Sequence, residues 1–138
     1  MTMRNSIVLA AALLLLPAAA VAQQEGLRVL ALKGGEVHEV QEVWFVSNCR
    51  SMLKAPPEVE KLEGPPEITL KVEPAMVIPR RFNCAKPIEG GKVIVTVGEV
   101  KAASRSKLVY RTLYRTKEGD RHVGQVYEVS LYPGPAPK

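Results

Sequence analysis

KLVYRTLYRT (107–116) and HVGQVYEVSLY (122–132), separated by KEGD (117–120), decide the fold class. Both segments are rich in β-branched and aromatic residues and alternate in polarity. The connector holds a glycine where a hairpin turn wants a positive φ. With Glu118-Gly119 as the turn, Tyr114 faces Val123, Tyr110 faces Tyr127 and Leu108 faces Val129. The other face then pairs Lys117 with Asp120 and Val109 with Glu128. A one-residue slip would mix the two faces, so an even-length loop is expected.

The same grammar extends toward the N-terminus. Val93, Val95 and Val97 point one way, Lys92, Ile94 and Thr96 the other, and Gly90-Gly91 opens that strand. Ile68, Leu70 and Val72 alternate with Glu67, Thr69, Lys71 and Glu73, the pattern of a strand with one dry and one wet face. Pro74 and Pro79 flank Ala75–Ile78, which restricts that stretch to an edge strand or an extended loop. Val37–Val46 reads as a strand, and Leu27–Leu32 as a first strand ended by Gly34-Gly35. Ser47–Lys54 has room for one helical turn before Pro56-Pro57 forbids more. Six or seven short strands between Gly and Pro signals, with no long helix, predict an all-β, antiparallel, immunoglobulin-like β-sandwich of about seven strands. Beyond Tyr132, Pro133–Lys138 offers no core residue and is expected to be a disordered tail.

The first 22 residues differ in kind. Arg4 precedes an unbroken apolar run, Ile7–Leu16, and Ala20-Val21-Ala22 supplies a small-x-small cleavage pattern, so residues 1–22 read as a secretory signal peptide cleaved near Ala22-Gln23. Ten apolar residues are too few for a bilayer span, and no transmembrane segment is expected in the mature chain. Residues 23–132 then form the β-sandwich domain, exported to the periplasm or the medium. Of 19 Lys and Arg only Arg4 lies in the leader, leaving 18 against 14 Asp and Glu, a net charge of +4. These charges are interspersed, without the dense basic stripe and stacking aromatics of a nucleic-acid binder, so no nucleic acid is expected as a partner.

Cys49 and Cys84 are the only two cysteines. In an exported chain such a pair is a disulfide, and C-x-x-C redox spacing is absent. The bridge draws together Arg50 and Lys54 on one side and Arg80, Arg81 and Lys86 on the other. Met52, Leu53, Met76, Val77, Ile78 and Phe82 are interleaved. The candidate binding surface is therefore Arg50, Lys54, Met76, Arg80, Arg81, Phe82 and Lys86, a cationic and apolar patch suited to a partner protein or an anionic cell-envelope component. Lys107, Arg111, Arg115 and Lys117 read as the wet side of a sheet.

Catalysis is not expected. The only histidines are His38 and His122, both on polar strand faces, and no G-x-S-x-G, H-E-x-x-H or P-loop pattern occurs. One Asp in the chain disfavours a calcium site and carboxylate dyads, although 13 Glu leave glycosidase-type pairs formally open. His38, His122, Met52 and Met76 form a soft donor set that would suit copper, the basis of a copper-binding alternative, but no two are close in sequence. No cofactor and no metal is assigned.

Two resemblances follow from particular residues. Ser47-Asn48-Cys49-Arg50-Ser51, Gly64-Pro65-Pro66, Asn83-Cys84-Ala85-Lys86 with Gly90-Gly91, and Tyr114-Arg115-Thr116 resemble small uncharacterised exported bacterial β-domain proteins, over about residues 40–133. That likeness implies a secreted β-domain and no particular activity. In layout only, a disulfide of this span with a Met-containing loop before the second cysteine is similar to ecotin-type periplasmic serine-protease inhibitors. The resemblance implies insertion of Pro74–Phe82 into a protease, with Met76 or Arg80 as the entering side chain. The family's aromatic Gly-Trp-Gly-Tyr-type segment and its C-terminal strand pattern are missing here.

Overall fold

The computed structural model describes residues 28–138, and the leader read over 1–22 lies outside them. Nine strands are present among the described residues: β1 (Val29–Lys33), β2 (Val37–Val43), β3 (Val46–Ser47), β4 (Arg50–Ser51), β5 (Glu58–Glu63), β6 (Ile68–Val77), β7 (Ile88–Val97), β8 (Ser104–Thr116) and β9 (Gly119–Tyr132). Seven of them build two facing sheets, ordered β1-β9-β8-β5 and β2-β7-β6, and β3-β4 is a separate small hairpin. This is the strand order of an immunoglobulin-like sandwich whose first strand has joined the sheet of the last. The expected fold class holds, with two corrections. There are nine strands instead of about seven, and β1 runs parallel to β9 while every other pairing is antiparallel. The chain crosses between sheets at Gly34-Gly35, with Gly35 at φ +82°, so β1 and β2 never pair with each other.

The core forms where the alternating stripes meet. Leu32, Leu108, Tyr110, Tyr114, Tyr127, Val129 and Leu131 of one sheet pack on Val43, Ile68, Val93, Val95 and Val97 of the other. The Tyr110 hydroxyl, enclosed in this layer, donates to Gln41 Oε1 at 2.8 Å, and its ring stacks on Tyr127. Burial pushes the Tyr110 phenol well above its ordinary range and the Tyr114 phenol up to about 12.

The β8–β9 register differs from the expected one by two residues. Thr116 lies opposite Gly119 and Tyr110 opposite Gln125, so Lys117-Glu118 occupy the turn. A two-residue shift keeps each side chain on its face, which is why the inward set survives. The turn is fixed by Thr116, whose hydroxyl donates to the Gly119 carbonyl at 2.6 Å and accepts from the Glu118 amide at 3.2 Å.

Three local expectations are also revised. Ser47–Lys54 is not helical: β3 and β4 fold back on each other through Asn48 and Cys49, both at positive φ (50° and 57°). A strand the sequence did not announce, β5, pairs with β8 at the sheet edge; Val59 is its half-buried residue, and glutamates at 58, 60 and 63 hide the pattern. Pro133–Lys138 begins with a fixed stretch, because Gly134 and Val100 exchange both backbone hydrogen bonds at 3.0 Å. Proline 74 behaves as its chemistry requires: β6 is an edge strand, paired only with β7.

Candidate functional site

The two sheets define two ends. At one, Gly34-Gly35, Gly98 and Gly134 converge. At the other, the β3–β4 hairpin, the β6–β7 connection and the β8–β9 turn meet. Backbone bonds knit this second end: the Lys117 amide donates to Met52 O at 3.0 Å, and the Lys54 amide donates to Arg115 O at 2.9 Å. The Ser51 hydroxyl donates to Glu89 O at 3.1 Å.

The Cys49–Cys84 disulfide is formed, with Cα atoms 5.5 Å apart. It does not join the two sheets through the core. It ties the tip of the β3–β4 hairpin to the β6–β7 connection, as expected from the Pro-rich setting of Cys84. Cys84 is buried, as are Val77 and Ile88, which face each other across the β6–β7 ladder, and none of the three belongs to the main core. Just before it, Arg80–Phe82 form one 3₁₀ turn ended by Asn83 at φ 55°. Pro79 precedes this turn and cannot donate, which helps confine it to a single turn.

The candidate residues take definite places around this staple. Arg50, Lys54, Arg80, Arg81 and Lys86 are all exposed, and Phe82 and Met76 are 58% and 61% exposed. Arg50 shares a shallow dent with Ser47, Met52 and Lys117. Lys54 and Met76 line a groove of about 560 Å³ together with Leu53, Pro56, Pro74 and Glu89. Thus the bridge assembles the residues as two adjoining features, a basic knuckle and a groove, and not as one flat patch.

The ion pairs among the described residues all lie on the sheets, which also carry the unpaired Lys33, Lys61, Lys107 and Arg121. Arg111 meets Glu60 at 2.7 Å, Arg115 meets Glu58 at 3.5 Å, Arg105 meets Glu128 at 3.1 Å, Lys92 meets Glu39 at 3.3 Å and Lys71 meets Glu73 at 3.1 Å. Among the described residues none of Arg50, Lys54, Arg80, Arg81, Lys86 or Lys117 has such a partner. Arg111 and Arg115 therefore fit the reading of a wet sheet face, balanced by the glutamates of β5. Lys117, assigned to that face from sequence, belongs instead beside Arg50. Only the return of the β8–β9 hairpin to the β3–β4 hairpin reveals it.

No family model matches this chain, and no curated protein or solved structure matches it significantly.

Other arrangements are not assembled. His38 lies opposite Val95 on β2, near the glycine end, whereas His122 lies opposite Leu113 in the other sheet. Seven residues of β7 separate Val95 from Ile88 at the disulfide end, about 23 Å at strand spacing. Among the described residues no group of three or more His, Cys, Asp or Glu is placed to hold a metal ion, and no helix is long and apolar enough to cross a membrane. Pro74–Phe82 is not a single free loop. Pro74–Val77 are ladder residues of β6 opposite Gly91–Ile88, and only Ile78–Phe82 leave the sheet.

Proposed function

We propose that this protein is a non-catalytic binding module of an exported, oxidising compartment, which engages an acidic partner protein or an anionic cell-envelope polymer through its disulfide end. The observation that carries this reading is a concentration of unpaired cations. Six of them, Arg50, Lys54, Arg80, Arg81, Lys86 and Lys117, gather at the disulfide end without a carboxylate partner among the described residues, whereas the unpaired cations of the sheets, Lys33, Lys61, Lys107 and Arg121, lie on four different strands. Unpaired cations on a covalently fixed frame supply long-range attraction, and the exposed Phe82 and Met76 beside them supply the apolar area that electrostatics alone lacks. Because the frame is fixed by the Cys49–Cys84 bond, binding orders little additional chain. The leader read over 1–22 and the disulfide support export.

The double variant Arg80→Glu/Arg81→Glu tests it. Both side chains are exposed, so folding is expected to be unaffected. Sedimentation with polyglutamate and pull-down from a cell-envelope extract should both be lost in the variant and weakened by salt in the wild type. Capture that is indifferent to charge reversal and to salt would overturn the reading. The inhibitor alternative has less support, since four of the nine residues Pro74–Phe82 are bound into a sheet.

A further inference from the structure

The groove beside the knuckle has an origin in the fold that says what it is built to accept. Along β6, Ile68, Leu70, Val72, Pro74 and Met76 occupy one face, opposite Val97, Val95, Val93, Gly91 and Glu89 of β7. The first three belong to the core or pack against it. Pro74 and Met76 continue the same stripe but are bare, with Met76 at 61% exposure. The reason lies in the facing edge. β5 starts only at Glu58, and the chain before it, Leu53–Pro56, bends toward β8 through the Leu53–Thr116 bridge and the Lys54–Arg115 hydrogen bond. The two sheet edges are close where Lys61 Nζ donates to Ile68 O at 2.9 Å, and nearer the disulfide a groove lies between Leu53–Pro56 and Pro74–Met76. A core stripe is left without its second layer.

We infer that this groove takes one bulky apolar side chain of an extended acidic peptide segment of a partner protein. This rests on the binding function proposed above and names the partner's chemistry. Charge fixes the choice of occupant. Lys54 stands on one wall without an acidic partner among the described residues, and Arg80 and Arg81 follow β6 by three and four residues beyond its last member, Val77. Glu89 is the one acidic residue lining the groove, so a neutral apolar side chain belongs inside and the peptide's carboxylates belong outside, beside Lys54 and the knuckle. Prolines on both walls, Pro56 and Pro74, keep the gap from closing by strand pairing, because neither can donate to a ladder. An extended segment thus meets an apolar slot with a cationic rim, a recognition mode in which the anchor supplies affinity and the flanking charges supply selection.

The test is selection of random dodecapeptides displayed on phage against the disulfide-intact protein, followed by titration of the enriched peptides. Peptides carrying Leu, Ile, Met or Phe flanked by Asp or Glu should be enriched. Met76→Asp should weaken them at least about tenfold, as loss of a central anchor does, and Lys54→Glu should weaken them by several fold. Amide shifts on titration should cluster at Leu53–Pro56, Pro74–Met76 and Glu89–Gly90. Enrichment of peptides without acids, or affinity indifferent to Met76→Asp, would overturn the inference, and so would no enrichment at all. Peptides insensitive to Met76→Asp but lost in Arg80→Glu/Arg81→Glu would overturn the groove while leaving the basic end as the binding surface.

Discussion

At residue scale, two glycines show how one residue type serves two different constraints. Gly90 sits in β7 with ordinary backbone angles, but a Cβ there would lie 2.5 Å from Val43 O and 2.7 Å from Val77 Cγ2. Its smallness lets Val43, Val77 and the base of Trp44 close over the strand. Gly119 is the reverse: the nearest atom to an added Cβ is 3.9 Å away, yet its φ is +114°. Gly90→Ala is expected to cost about 1–3 kcal/mol by overpacking. Gly119→Ala should cost on the order of 1–2 kcal/mol by backbone strain alone. Urea unfolding gives both magnitudes, and chemical shifts distinguish the causes. Val43 and Val77 methyls should move only in Gly90→Ala. Equal perturbation of those methyls by both variants would refute the distinction.

At the scale of elements, the disulfide matters most for the smallest ones. β3 and β4 contribute two paired positions, far too few to stand alone, and a two-stranded hairpin is marginal even when longer. The hairpin is held by the Met52 amide donating to Phe45 O, by Ser51 on Glu89, and by the bond from Cys49 to Cys84. The two cysteines are 35 residues apart, and opening a loop of that length is expected to cost about 3–4 kcal/mol in the chain-entropy account. Cys49→Ser/Cys84→Ser should therefore lower the unfolding free energy by that order. Amide exchange should rise first at Val46–Met52 and Arg80–Cys84, while the β8–β9 ladder stays protected. Uniform loss of protection over both sheets would show that the bridge holds the whole sandwich.

For the whole molecule, the aromatic layer of the core sets the pH limit of stability. Tyr114 has its phenol pushed from 10.0 to about 12 by burial, and Tyr110 is pushed further in the same direction. A raised folded value means that the native state keeps protons the unfolded chain gives up. Stability is thus unaffected below about pH 10 and falls as pH rises from there through 12. The slope is about 1.4 kcal/mol per pH unit for each tyrosine held protonated. Denaturant midpoints measured from pH 8 to 12 should be flat and then drop, and Tyr114→Phe should make the drop shallower. A midpoint that declines steadily from pH 8 would contradict this origin. Surface ion pairs contribute little to the total, since their members are largely exposed.

Strands whose alternation is uninterrupted could be read directly from the residues. Leu108, Tyr110, Tyr114, Tyr127 and Val129 share a face in any register that respects the period of two, so the core of the long hairpin was legible even though its turn lies one residue earlier and its register two residues away from the expected ones. The edge position of β6 was legible too, because proline can occupy few places in a sheet. β5 was not, because an edge strand that presents four of its six side chains as charges has no alternation to read. The pairing of Cys49 with Cys84 needed only a count of two. What tertiary structure decided was adjacency: Lys117 beside Arg50, Met76 across from Leu53 and Lys54, and an uncovered stripe on β6. Those depend on where two sheet edges leave a groove, a property of two layers that neither strand carries alone.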